Sequence, residues 1–193
     1  VCGSYDDVRF SVYDGRTKVA SGSGVDCDIE VPDVHLWNGL EDPFLYRVVA
    51  ELILDDEVVD SLEYNIGFRF FEFDAEKGFL LNGRSYPLRG VSRHQDRLKI
   101  GNALTRKMHE EDLALILEVG ANSIRLAHYQ HDQYFYDLCD KAGVVCWAEI
   151  PYITKHMDGG FENTMNQLSE LIEQCYNHAC IVCWGISNEI TAG

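Results

Sequence analysis

Cys180-Ile181-Val182-Cys183-Trp184-Gly185-Ile186-Ser187-Asn188-Glu189-Ile190 is the stretch on which the reading of this chain turns. Ile181 to Trp184 form a run of β-branched and aromatic residues bounded by Gly185, the pattern of a buried parallel strand. The run then presents Asn188 and Glu189 side by side at its C-terminal end, which in a β/α barrel is the end that carries chemistry. Taken alone, an Asn-Glu pair is more simply a solvated loop. The residues upstream reverse that reading.

Working back from Cys180, strands and helices alternate. Strand one spans Pro87 to Val91, and a helix follows from about Lys107 to Val119, with Leu113, Ile116 and Leu117 on one face and Gly120 as its stop. Strand two is Ser123 to Leu126. Asp132 then N-caps a helix in which Phe135, Leu138 and Cys139 recur at helical spacing before Gly143 ends it. Strand three, Val144 to Ile150, stops at Pro151. A third helix carries Leu168, Leu171, Ile172 and Cys175, and strand four begins at Cys180. This order predicts a parallel sheet with covered faces. A closed barrel needs eight such units and about 250 residues, so the four units over residues 73–193 are expected to be the first half of a (β/α)8 barrel.

Residues 1–72 read differently. Val8 to Tyr13 alternates into the turn Asp14-Gly15, Asp28 to Val31 alternates again before Pro32, and Tyr46 to Leu54 and Val58 to Phe68 flank Asp55-Asp56-Glu57. Short strands with regular turn signals predict a small all-β sandwich whose first strands need not all be present. Between Leu81 and Tyr86, Asn82-Gly83 fits a type I′ hairpin turn. The fold class expected is therefore multi-domain, an all-β sandwich followed by part of an α/β barrel.

Composition narrows the function. At 193 residues and 46% hydrophobic, the chain can bury a sizeable core. Sixteen basic residues against 32 acidic ones, a net charge of -16, exclude a phosphate-binding surface, so no nucleic-acid partner is expected, whereas a neutral sugar suits that balance. No stretch approaches the ~20 apolar residues of a membrane span. Most of the seven cysteines lie inside apolar runs as small hydrophobes, and Cys180 and Cys183, three apart on a strand, point to opposite faces. No disulfide framework follows, which favours a reducing compartment.

Three motifs carry a resemblance. Arg89-Gly90-Val91-Ser92-Arg93-His94, then Asn122-Ser123-Ile124-Arg125-Leu126-Ala127-His128-Tyr129, then Asn177-His178 leading to Trp184 and Asn188-Glu189 resemble, in order and spacing, the barrel-strand motifs of glycoside hydrolase family 2. Trp37 to Tyr46 resembles the segment that packs the family's immunoglobulin-like domain. The resemblance implies a retaining β-glycosidase acting on a β-glycoside or oligosaccharide. β-Galactosidase is the first expectation, and β-glucuronidase, β-mannosidase or a non-catalytic carbohydrate-binding protein on the same scaffold are the alternatives.

It further implies that Glu189 is the acid/base, with a pKa raised towards neutrality, that Asn188 contacts the sugar 2-hydroxyl, and that Arg125 supports the nucleophile. His128, and His94 after strand one, are expected in the pocket, while Glu149 reads equally as a supporting partner or as a buried charge. The family's nucleophile, near strand seven, has no counterpart in this chain, so Arg125 is expected to lack its partner, the 193 residues to be an inactive fragment, and the uncovered strand-four edge to drive homo-oligomerisation. Ile153 and Lys155 stand where some family members carry magnesium ligands, and a His128-x-x-His131 metal site lacks a third ligand, so no metal and no cofactor are expected.

Overall fold

The computed structural model describes residues 4–191, in two compact units: residues 4–36 with 44–68, and residues 37–43 with 69–191. In the first unit, β1 (Asp7–Asp14), β2 (Thr17–Ser23), β3 (Tyr46–Leu54) and β4 (Glu57–Ile66) form one antiparallel sheet in the order β2-β1-β3-β4. The turns are those the sequence demands. Gly15 has φ +55°, and Asp55 and Asp56 both have positive φ, as a two-residue hairpin between right-twisted strands requires. Residues 28–31, expected as a strand, form none. Their alternation specifies a face, but a strand also needs a neighbour for its backbone groups, and no ladder reaches them.

The second unit opens with a three-stranded antiparallel sheet, β5 (Phe71–Asp74), β6 (Gly78–Leu81) and β7 (Arg84–Ser85). Its Asn82-Gly83 turn has φ +51° and +75°, the type I′ pattern. The Asn82 amide donates to the Trp37 carbonyl (3.0 Å) and to Asn38 Oδ1 (2.6 Å), while its oxygen accepts from Phe70 N–H (3.0 Å). Trp37 is fully buried, and its indole N–H donates to the Asp140 carbonyl at 2.8 Å. The segment 37–43, whose sequence resembles an immunoglobulin-like packing motif, thus serves the helix-bearing unit, because a buried indole N–H needs an acceptor and finds it there.

Four parallel strands follow: β8 (Gly90–Arg93), β9 (Ser123–Leu126), β10 (Val145–Glu149) and β12 (Ile181–Gly185), side by side in that order. The intervening helices are α1 (Arg106–Glu118), α2 (Gln133–Ala142) and α3 (Phe161–Cys175). Asp132 caps α2 by accepting from Tyr134 N–H (2.9 Å), and Gly143 ends it at φ +78°. A short parallel ladder joins β11 (Ile153–Lys155) to β13 (Asn188–Thr191) beyond the C-terminal ends.

The two faces of the barrel sheet differ. Ile124, Leu126, Cys146 and Ala148 are buried on the helix side. On the other side Ser92, Arg125, Trp147 and Cys183 stand in register across the four strands and line an open, largely apolar hollow of about 380 Å³. Cys180 is buried ahead of β12, whereas Cys183 faces the hollow. Among the described residues no helix is long and apolar enough to cross a membrane.

Two helix stops separate two costs of a side chain. Gly120 (φ +81°) and Gly143 (φ +78°) share one backbone conformation, but a Cβ on Gly120 meets nothing, whereas one on Gly143 collides with the Gly39 carbonyl. Gly120→Ala is expected to cost about 1–2 kcal/mol, the left-handed penalty alone. Gly143→Ala should cost more than about 3 kcal/mol, measured as the shift in urea midpoint at unchanged slope.

Candidate active site

The C-terminal ends of β9, β10 and β12 converge on one buried carboxylate. Glu149 is 1% exposed at the end of β10. One of its oxygens is ion-paired with the Arg125 guanidinium, and the other lies 3.1 Å from His128 Nδ1. A second Arg125 nitrogen, Nη2, donates to Asn188 Oδ1 at 2.7 Å. The His94 ring packs edge-on against His128, centroids 5.0 Å apart. Arg125, His128, His94 and Asn188 are therefore brought into one connected group, and Glu149 is its hub.

Arg125 is not left without a carboxylate, as the absence of a strand-seven glutamate had suggested. Glu149 fills that place because a charge so deeply buried must be matched, and the row Arg125–Trp147 puts the guanidinium one strand away. Gly185 makes the arrangement possible: a Cβ there would collide with Glu149 and with the Trp147 indole. The two readings of Glu149 in the sequence were indistinguishable because its partners, His128 and Arg125, lie 21 and 24 residues away.

Glu189 follows Asn188 directly. Its side chain is exposed, and its backbone sits at φ +52°, a left-handed conformation uncommon for glutamate and enriched at functional sites. Ile153 and Lys155 are exposed on β11. His131 is buried behind the strands, with Nε2 on the Ala127 carbonyl (3.1 Å) and Nδ1 on Arg93 (3.0 Å), so both of its nitrogens are engaged away from His128. Among the described residues, Asp137, Asp140 and His178 lie close enough to share a cation. Asp140 is already committed to His178 Nδ1 (2.7 Å) and to Cys180 N–H (2.8 Å), which makes that group a structural tie between α2 and β12.

Behind the site lies a second polar cluster. Arg93 donates to Asp112 Oδ2 through Nε (3.0 Å) and Nη2 (2.7 Å), and its Nη2 also reaches His109 Nδ1 (3.1 Å). Burial, with the Arg93 charge adding to it, lowers the pKa of His109, and burial drives that of His131 down to about 4. Burial alone would push the Asp112 carboxyl up, but the hydrogen bonds from Arg97 and Arg93 together outweigh it and hold it below its ordinary value.

These shifts fix a pH window. An unfolded imidazole takes a proton near pH 6.5 that the folded His131 refuses until about pH 4, so the native state binds fewer protons between those values. Stability is complete above pH 6.5 and falls as the pH drops from 6.5 towards 4; the Asp112 contribution is lost only below that. Urea midpoints measured at pH 7, 5.5 and 4.5 should decrease in that order, and His131→Gln, which cannot titrate, should flatten the slope.

Comparison with known proteins agrees with the fold. Residues 74–193 match the model described as glycosyl hydrolases family 2, TIM barrel domain, and residues 4–69 match a second model, glycosyl hydrolases family 2. A β-glucuronidase of Bacteroides fragilis is 51% identical over 164 residues, covering 80% of this chain and 24% of that protein. A β-galactosidase of Thermoanaerobacter pseudethanolicus is 34% identical, over 75% of this chain and 20% of its own length. The crystal structure of an FMN-binding β-glucuronidase from Facaelibacterium prausnitzii L2-6 superimposes with a TM-score of 0.90 at 46% identity, over 95% of this chain and 30% of that one. The chain thus spans no more than about a third of the length of the relatives it matches. An immunoglobulin-like β module followed by four parallel strands and the three helices between them, with two family models covering almost every residue, places this chain in glycoside hydrolase family 2.

Proposed function

We propose that these residues form the first half of the catalytic barrel of a retaining β-glycosidase, with Glu189 as acid/base and a β-glucuronide as substrate. The observation that carries the reading is the chain of contacts Asn188–Arg125–Glu149–His128 at the strand ends, which fixes Asn188 and leaves Glu189 as the next residue, free to turn into a cleft. Cleavage needs a proton donor at the leaving oxygen and a carboxylate about 5 Å away that attacks the anomeric carbon. Glu189 donates the proton as the glycosidic bond breaks, then takes one from water as the glycosyl-enzyme ester is hydrolysed. The attacking carboxylate comes from a later barrel strand. Asn188, held by Arg125, meets the 2-hydroxyl, where a contact tightens as the oxocarbenium character grows. Hydrolysis of an acetal changes no oxidation state, so the reaction has no redox step for the flavin named in the F. prausnitzii relative.

The sugar assignment moves from the galactoside expected from sequence to a glucuronide. Its support is the relatives at 51% and 39% identity, both described as β-glucuronidases, the second as a putative one. The β-galactosidase of T. pseudethanolicus favours the second reading.

Two variants of the full-length enzyme test the roles. On an unactivated β-glycoside, Glu189→Gln should lose about 10²–10⁴ in kcat/KM, the worth of a positioned general acid, and much less on an aryl glycoside whose leaving group needs no proton. Full activity of that variant on the unactivated substrate removes the assignment. Glu149→Gln should cost on the order of 10²-fold in kcat/KM by releasing Arg125 and Asn188 from their places. In a panel of aryl β-glycosides the glucuronide should give the highest kcat/KM; a galactoside in that position selects the other reading.

A further inference from the structure

Arg93 ends β8, and its side chain leaves the sheet on the face opposite to Arg125, since Ser92 pairs with Arg125 and Arg93 with Leu126. It is 5% exposed, stacked over the Phe135 ring at 3.9 Å, and far better supplied with partners than packing alone would require. Every nitrogen of its fork is used. Nε and Nη2 hold Asp112, Nη2 also meets His109, and Nη1 donates to His131 Nδ1. An arginine has no acceptor atom, so His131 Nδ1 must be unprotonated, and the ring proton sits on Nε2. That proton points at the Ala127 carbonyl, 3.1 Å away. On the other side of the same residue, Ala127 N–H donates to the Arg93 carbonyl at 3.0 Å. Both polar groups of Ala127 are thereby tied, directly or through one imidazole, to residue 93. The next residue is His128, whose Nδ1 meets Glu149.

We propose that Arg93, acting through His131, is a positioning residue of the active site: the pair fixes the Ala127 carbonyl and so aims His128 at Glu149. The inference rests on the pocket reading given above. An apolar pair of similar volume would pack this space without desolvating a charge, and often at no loss of stability. What an apolar pair cannot supply is a directed N–H for the Ala127 carbonyl. Lysine cannot supply it either, because a single ammonium has no planar fork to span Asp112 and His131 together.

The test uses the full-length enzyme with His131→Phe, which keeps a ring but neither hydrogen bond, and His131→Gln, which can accept from Arg93 and donate to Ala127. Imidazole 15N–1H correlation reads the His128 Nδ1 proton held by Glu149. It should be lost or shifted in His131→Phe and restored in His131→Gln. With the proposed glucuronide substrate, kcat/KM should fall about tenfold or more in His131→Phe, by displacement of a pocket group, and recover to within about threefold in His131→Gln. The double variant His128→Ala/His131→Phe should be no worse than His128→Ala alone, since a residue that acts only through His128 has nothing left to act on. If His131→Phe does not fold, Arg93→Lys takes its place with the same expectations. An unchanged His128 resonance in the folded variant, or losses that add in the double variant, overturn the proposal. Unchanged kcat/KM in His128→Ala alone counts instead against the pocket reading, and the imidazole spectrum then decides the positioning role by itself.

Discussion

A carboxylate that is 1% exposed needs partners, and the site is arranged around that requirement at Glu149. Removing one partner of a buried ion pair costs about 3–5 kcal/mol, because the other charge is left desolvated and unmatched. Glu149 has two oxygens with different tasks: one takes the Arg125 guanidinium and the other faces His128. Once Arg125 is fixed on one side, its remaining N–H groups can point in few directions, and one of them reaches Asn188. The position of Asn188, and hence the start of the backbone that turns at Glu189, follows from a charge on a different strand. Gly185 belongs to the same logic, since only a residue without a side chain lets β12 pass the crowded end of β10.

Much of the fold was legible because its signals are local. The N-cap at Asp132, the left-handed stop at Gly143 and the positive-φ pair Asn82-Gly83 each depend on a few neighbouring residues, and each sits where its chemistry requires. What was not legible depends on partners distant in sequence. Residues 28–31 alternate correctly but have no ladder to join. Trp37 lies in a segment that resembles one packing role and fulfils another, because its indole acceptor is 103 residues away. In the site, Arg125, His128 and Asn188 could be picked out by motif, whereas the glutamate that connects them could not, since a buried charge declares its role only through the groups that surround it. The acid/base assignment of Glu189 remains the part that motif and backbone support together, one by position and the other by its left-handed turn.

The residues gathered here also divide the labour of recognition. In the proposed reaction Asn188 and Glu189 address the 2-hydroxyl and the leaving oxygen, which a galactoside and a glucuronide present alike. The two sugars differ in the group carried on the far side of the ring, a hydroxymethyl in one and a carboxylate in the other. A carboxylate is discriminated by a cation placed against it, and a site that lacks the cation rejects it through desolvation. A half-site of this kind is compatible with either sugar, in keeping with the two substrate names found among the relatives that this chain matches.

Two arginines on adjacent strands, pointing to opposite faces of one sheet, express the same physical choice. Arg125 on the open face and Arg93 on the helix face each spread one charge over several acceptors, and each ends on a group that determines where a site residue stands: Asn188 for the first, and the Ala127 carbonyl through His131 for the second. A sheet transmits position well along its strands and poorly through its loops, because the loops have no ladder to hold them. The residues proposed to do the chemistry are just past the strand ends, where the ladder stops. Rigid, planar, multiply bonded side chains anchored on the last residues of the strands extend the order of the sheet by one more layer. That the stiffest available cation occurs on both faces at this level, with its hydrogen bonds directed at the loops, is what makes the strand ends a site rather than an edge.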